Sequence, residues 1–170
     1  MIRVVVDDLA SASADAIVRP ATIRLAPTTP AAERVDRAGG DALQGALALR
    51  EDLAVGAAVV TAGGGLTVEF VIHAVVATEA AQVTAQGLRR AWRSVLERAR
   101  EWQFAHIATP PLHPGSPELR LADVADAMAE VLREVGDMGG FPSSVSFVVD
   151  SEEDRAVFTA ALRVGRASPS

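Results

Sequence analysis

The sequence predicts one α/β domain built on a mostly parallel sheet with helices on both faces. Two observations carry this expectation. Short β-branched runs alternate along the chain with longer stretches whose apolar residues recur at helical spacing. Several of the strand-like runs are apolar throughout, as strands covered on both faces are, rather than alternating apolar and polar. No internal repeat or linker divides the 170 residues, so the expected organisation is one domain over 1–165 and a frayed tail over 166–170.

The elements follow in order. Ile2 to Val6 and Ala16 to Val18 are short β-branched runs and read as strands. Ala31 to Arg50 turns helical, interrupted at Gly39-Gly40. Ala57 to Thr61 is the next strand, followed by a turn at Gly63-Gly64-Gly65, and Phe70 to Val76 is a buried one. Leu88 to Trp102 places Leu88, Trp92, Val95, Leu96 and Ala99 on one helical face. Ile107 to Thr109 is a strand stopped by Pro110-Pro111. Leu121 to Val135 is a helix with Val124, Met128, Val131, Leu132 and Val135 inward. Val145 to Val149 is a continuous apolar strand. Ser151 before Glu152-Glu153-Asp154 is an N-cap with acids in the first turn of a last helix ending near Gly165.

Composition narrows the function classes. Apolar residues make up 49% of the chain, too many for a disordered segment. There is no cysteine, tyrosine or lysine, and all sixteen basic residues are arginine. Thiol nucleophiles, disulfides and thiolate metal sites are thereby excluded, as are Schiff-base and phosphate-loop lysines. The formal net charge is −6, and the densest arginine group (Arg89, Arg90, Arg93, Arg98, Arg100) falls in one helical segment, where a solvated face is expected. Nucleic acid and membrane are not expected partners. The first ten residues lack the shape of a signal peptide, so a cytoplasmic location is expected. His106 and His113 do not form a metal-binding pattern, and neither a Ser-His-Asp order nor a Gly-x-Ser-x-Gly turn is present.

Five stretches, in order, resemble the macro domain family: "DDLASASADAIV", "ERVDRAGGDAL", "GAAVVTAGGGLTVEFVIHAV", "LRRAWRSVLERAREWQFAHIATP" and "VSFVVDSEEDRAVFTAAL". The resemblance implies a three-layer α/β/α sandwich with a mixed, mainly parallel central sheet, and a module that binds ADP-ribose. It places Asp8 where family members hold the adenine amino group, with Leu9 beside it, and Thr22 where an asparagine orients the distal ribose. Arg24, Thr28 and Thr29 stand in the first phosphate loop, where the family has glycines and this chain has Pro27-Thr28-Thr29-Pro30. His113, Gly115 and Ser116 stand in the second phosphate loop, and Asp150 where an aromatic stacks on adenine.

The departures from the family pattern bear on affinity and chemistry. Two of the four residues Pro27 to Pro30 have no N–H to offer a phosphate. Arg19 replaces the first family asparagine, for which a structural or surface role is expected. Ala32 replaces the aspartate of catalytic members, so hydrolysis of ADP-ribose derivatives is not expected. The expected function is a module for ADP-ribose or a related nucleotide metabolite, weak or altered in specificity and needing no cofactor. The alternative is a degenerate scaffold whose loops serve protein partners.

Overall fold

The computed structural model describes residues 1–80, 84–113, 116–136 and 140–166, with the side chains of 164–166 excluded. Its strands are β1 (Ile2–Val6), β2 (Ala16–Thr22), β3 (Ala58–Ala62), β4 (Phe70–Ala77), β5 (His106–Thr109) and β6 (Ser144–Val149). The helices are α1 (Pro30–Ala48), α2 (Ala85–Glu101), α3 (Leu121–Val135) and α4 (Glu152–Arg166), and a 3-10 turn spans Leu9–Ser11. The sheet order is β1-β6-β5-β2-β4-β3, parallel except for the antiparallel β3–β4 pair. The expected mixed, mainly parallel sheet is therefore present.

Two apolar clusters lie on the two faces of this sheet. One gathers Trp92, Leu96, Val124, Met128 and Phe158 from α2, α3 and α4 against Val18, Ile72 and Phe147. The other gathers Leu9, Val35, Leu43 and Leu47 against Ile17, Val71 and Val148. Alternation within a strand divides the two sets: Val18 and Ile72 face one layer, Ile17 and Val71 the other. The buried α2 face is the one the spacing predicts, and burying each such large side chain contributes about 1.5–3 kcal/mol. Trp92 adds a hydrogen bond from its Nε1–H to the Met128 carbonyl at 3.1 Å.

The ends of elements follow local chemistry. Ser151 accepts from the Asp154 N–H, the cap its sequence predicts. α1 begins at Pro30 rather than Ala31, with Thr29 as N-cap accepting from the Ala32 N–H at 3.2 Å. The proline occupies the first helical position, where its missing N–H costs nothing. Gly40 breaks α1 at φ 62°, ψ −156°, at the predicted interruption. β2 runs four residues past its expected end at Val18, through Pro20 to Thr22. Its pairing with β5 covers only Ala16 and Ile17, so Pro20 lies where one side of the strand has lost its neighbour. Of the expected tail over 166–170, Arg166 belongs to α4 and residues 167–170 lie outside the described residues.

Candidate functional site

The crevice arises from connectivity. The chain leaves β2 for α1 on one face, and leaves β5 for α3 on the other. Adjacent parallel strands whose connections part to opposite faces open a gap at their carboxyl ends, the usual ligand position in such sheets. The loops after β2 and β5, where residues 27–30 and 113–118 are expected to hold a ligand, leave from the two sides of this gap, residues 114 and 115 lying outside the described residues.

The first loop closes much of the gap with its own backbone. It turns sharply at Leu25, at φ 65°, and comes back antiparallel along β2, with a bridge between Ala21 and Pro27. The Thr22 N–H donates to the Ala26 carbonyl at 2.9 Å, and the Thr28 N–H to the Pro20 carbonyl at 3.4 Å. β4 still accompanies the other side of β2 here, where Ile23 N–H donates to the Ala77 carbonyl. The returning segment therefore lies on the β5 side, in the gap itself. The Thr28 hydroxyl then donates to the His113 carbonyl at 2.7 Å and fastens the two loops together.

The remaining predicted polar groups have assignments of their own. The Thr22 hydroxyl accepts from the Ala26 N–H at 3.1 Å and donates to the Glu79 carboxylate, which also accepts from the Arg24 N–H. The Arg24 side chain is 70% exposed and lies 3.8 Å from Asp52, turned away from the gap. Thr29 caps α1. The His113 Nε2–H donates to the Leu119 carbonyl at 2.7 Å, and the buried Ser116 hydroxyl accepts from the Glu118 N–H at 3.3 Å. Gly115 lies outside the described residues. The Leu9 side chain enters the core, leaving only its backbone for a ligand, and Ala32 is fully buried.

At the far end of the crevice, β1 and β6 deliver two carboxylates side by side. Asp8 caps the 3-10 turn by accepting from the Ala10 N–H at 3.2 Å. Arg34, on the second turn of α1, reaches across with Nε 3.3 Å from Asp8 Oδ1 and Nη2 2.6 Å from Asp150 Oδ1. The guanidinium thus occupies the space between the predicted adenine-binding carboxylate and the residue at the stacking position. Both carboxylates remain about half exposed (50% and 53%), so a ligand can still reach them.

Beneath α1, Arg19 takes the structural of its two expected roles. It is fully buried, donating Nε and Nη2 to Asp36 at 2.5 and 2.9 Å and Nη2 to the Leu25 carbonyl at 2.7 Å. Its Nη1 sits 3.3 Å from His73 Nδ1, which must accept, so Nε2 carries the proton and donates to Thr61 Oγ1 at 2.8 Å. Burial, then the Arg19 charge, lowers the His73 pKa to about 3 and keeps the ring neutral. By holding the Leu25 carbonyl, this network fixes the turn that folds the first loop back.

Arg34, Asp36 and Glu79 were not anticipated as site residues. Arg34 and Asp36 lie in an amphipathic helical stretch that gives no hint of their distant partners. Glu79 had one signal, an acid two residues beyond the end of a strand that runs parallel to β2. Among the described residues, no three His, Asp or Glu side chains are grouped to hold a metal ion. No described helix is long and apolar enough to cross a membrane.

Comparison with known proteins adds three kinds of likeness. The macro domain family model matches residues 18–128. An uncharacterized protein of Aeropyrum pernix is 31% identical over 157 residues, covering 90% of this chain and 80% of the relative. Among solved structures, a point mutant of the Oceanobacillus iheyensis macrodomain with ADP-ribose superimposes with a TM-score of 0.82 at 21% identity, covering 97% of this chain and 93% of that one. The Trypanosoma brucei macrodomain in complex with ADP gives 0.83 at 20% identity, covering 95% and 68%.

Proposed function

The chain belongs to the macro domain family, and from that premise we propose that it is a binding module for ADP-ribose or a related nucleotide metabolite, of low affinity, with the adenine end of the ligand at Asp8. The observation that carries this reading is the Asp8 carboxylate, half exposed past the carboxyl end of β1, at the far end of the crevice that opens between the diverging loops. A carboxylate offers only acceptors, which suits an exocyclic amino group. Related folds have been solved with ADP-ribose and with ADP.

Low affinity follows from the loops. Pro27 and Pro30 have no N–H, and the Thr22, Thr28 and Thr29 hydroxyls and His113 Nε2 already have partners in the chain. A diphosphate must therefore displace internal bonds or do without donors. The same groups favour the second reading, a scaffold whose loops are stabilised for themselves and whose partners are proteins. Amide chemical shifts recorded during an ADP-ribose titration separate the two. The ligand reading expects saturable shifts at Asp8, Leu9 and the 22–29 loop. Shifts elsewhere, or none at millimolar ligand, support the scaffold. Catalysis is not part of the proposal: Ala32 is an apolar side chain, fully buried, where catalytic relatives have an acid.

A further inference from the structure

The outer edge of the sheet, along β1, combines three features that nothing above uses. The first is an open backbone edge. In the β1–β6 register the Met1 carbonyl accepts from Val145 N–H, and Asp7 N–H donates to the Val149 carbonyl. Odd-numbered residues of β1 therefore bond to β6, and the N–H and C=O groups of Ile2, Val4 and Val6 face outward. The second is exposed apolar surface. Five large hydrophobic side chains are exposed among the described residues, and three of them, Met1, Ile2 (37%) and Val6 (39%), lie on or beside this edge.

The third feature is a groove of about 440 Å³ where α3 and α4 pass over β1. Ile2, Val4, Leu132 and Leu162 give it an apolar lining, and Arg133, Arg155 and Arg163 bring positive charge to it. Arg155 is partnered by Glu152, whereas Arg133 and Arg163 have no ion pair among the described residues. This local positive charge sits on a protein of formal net charge −6.

We propose that this edge is a docking site for an extended segment of a partner protein that presents both apolar and acidic side chains on one face, at every second residue. The segment adds to β1 as a further strand through the main-chain groups of Ile2, Val4 and Val6. Its apolar side chains enter the groove and its carboxylates meet Arg133 and Arg163. Each feature selects part of this occupant. An edge strand selects a polypeptide, the apolar lining selects alternate side chains, and the arginines select acids. A second copy of this chain is disfavoured, because pairing β1 with β1 brings both sets of three arginines to one seam. A small anionic amphiphile uses the groove and leaves the edge groups idle.

The test uses a capped heptapeptide with valine and glutamate taking turns at its odd positions and threonine at its even ones, its counterpart with lysine in place of glutamate, and octanoate as a small anion. The expected result is saturable binding of the glutamate peptide alone, with slowed amide exchange at Ile2, Val4 and Val6. Val4→Pro removes one outward N–H, at an edge position where proline is tolerated. It is expected to weaken binding at least tenfold while the thermal midpoint stays near that of the wild type. Arg133→Glu with Arg163→Glu is expected to do the same, and these exposed positions decide the matter if Val4→Pro does not fold. The proposal is overturned if the peptide does not bind at millimolar concentration, or if the lysine peptide binds equally well. It is also overturned if octanoate competes fully while exchange at the edge is unchanged, or if the chain dimerises through β1 instead.

Discussion

Arg19 concentrates the residue-scale account, because a fully buried cation persists only with its charge and donors matched. Asp36 supplies the charge, so Asp36→Ala leaves Arg19 unpaired and is expected to cost about 3–5 kcal/mol in urea unfolding. A loss under 1 kcal/mol would mean the pair is not the main support of that layer. His73 makes a separate, pH-dependent contribution. Its pKa is about 3 in the folded protein against the ordinary histidine value of 6.5, so between these values the unfolded chain binds a proton that the folded chain does not. Stability from this group is therefore full above pH 6.5 and falls as the pH drops, by at most about 1.4 kcal/mol per unit. A His73→Gln variant is expected to be less stable at pH 7 but to show a shallower decline from pH 6.5 to 5. Equal slopes in the two proteins would rule out the neutral buried ring. The sequence makes Arg19 legible as an oddity at the end of an apolar strand. Its partner lies 17 residues on, across a layer boundary, and local patterns carry no such pairing.

At the scale of elements, the turn between β3 and β4 packs on the break in α1. Gly64, at φ 62°, has no room for a side chain: a Cβ there would stand 2.7–2.8 Å from the Leu43 nitrogen and the Gly39 carbonyl. Gly40 has the same φ but open space around it. Gly40→Ala is thus expected to cost about 1–3 kcal/mol of backbone strain, since its φ and ψ suit glycine alone, and Gly64→Ala to cost more by adding a backbone clash. Equal costs, measured by denaturant unfolding, would contradict that packing. The loop fastening is tested by Thr28→Val, which removes the hydrogen bond to His113. The expected loss is about 1 kcal/mol, with faster amide exchange over residues 22–29. Strands and helices were mostly legible because their periodicity is local. The Pro27–Pro30 stretch was legible as a departure from a glycine loop, whereas the use of Thr29 and Pro30 as cap and first residue of α1 was not anticipated. The return of this loop along β2 was not legible, since it depends on β5 ending early and on the Leu25 carbonyl being held from below by Arg19.

For the whole molecule, the fold was legible from the order of elements and from five stretches resembling one family, and the sheet order agrees with it. The state of the crevice was only partly legible: lost glycines can be read from a sequence, but the Arg34 bridge and the Thr28–His113 bond depend on distances between layers. Losing an adenine stack costs roughly 1–3 kcal/mol. Losing two or three hydrogen bonds to charged oxygens costs about 1.5–3 kcal/mol each. At tenfold per 1.4 kcal/mol, losses of this size applied to a roughly micromolar ligand lead to an expected Kd for ADP-ribose on the order of 100 μM or weaker. With Ala32 buried, no turnover of ADP-ribosylated protein is expected in a hydrolysis assay, and turnover abolished by Asp8→Ala would contradict that. The most direct test of the central claim is a calorimetric titration of ADP-ribose into wild type and Asp8→Ala. The account predicts weak, saturable binding to the wild type that Asp8→Ala abolishes. No binding to the wild type, or low-micromolar binding that Asp8→Ala leaves intact, would contradict it.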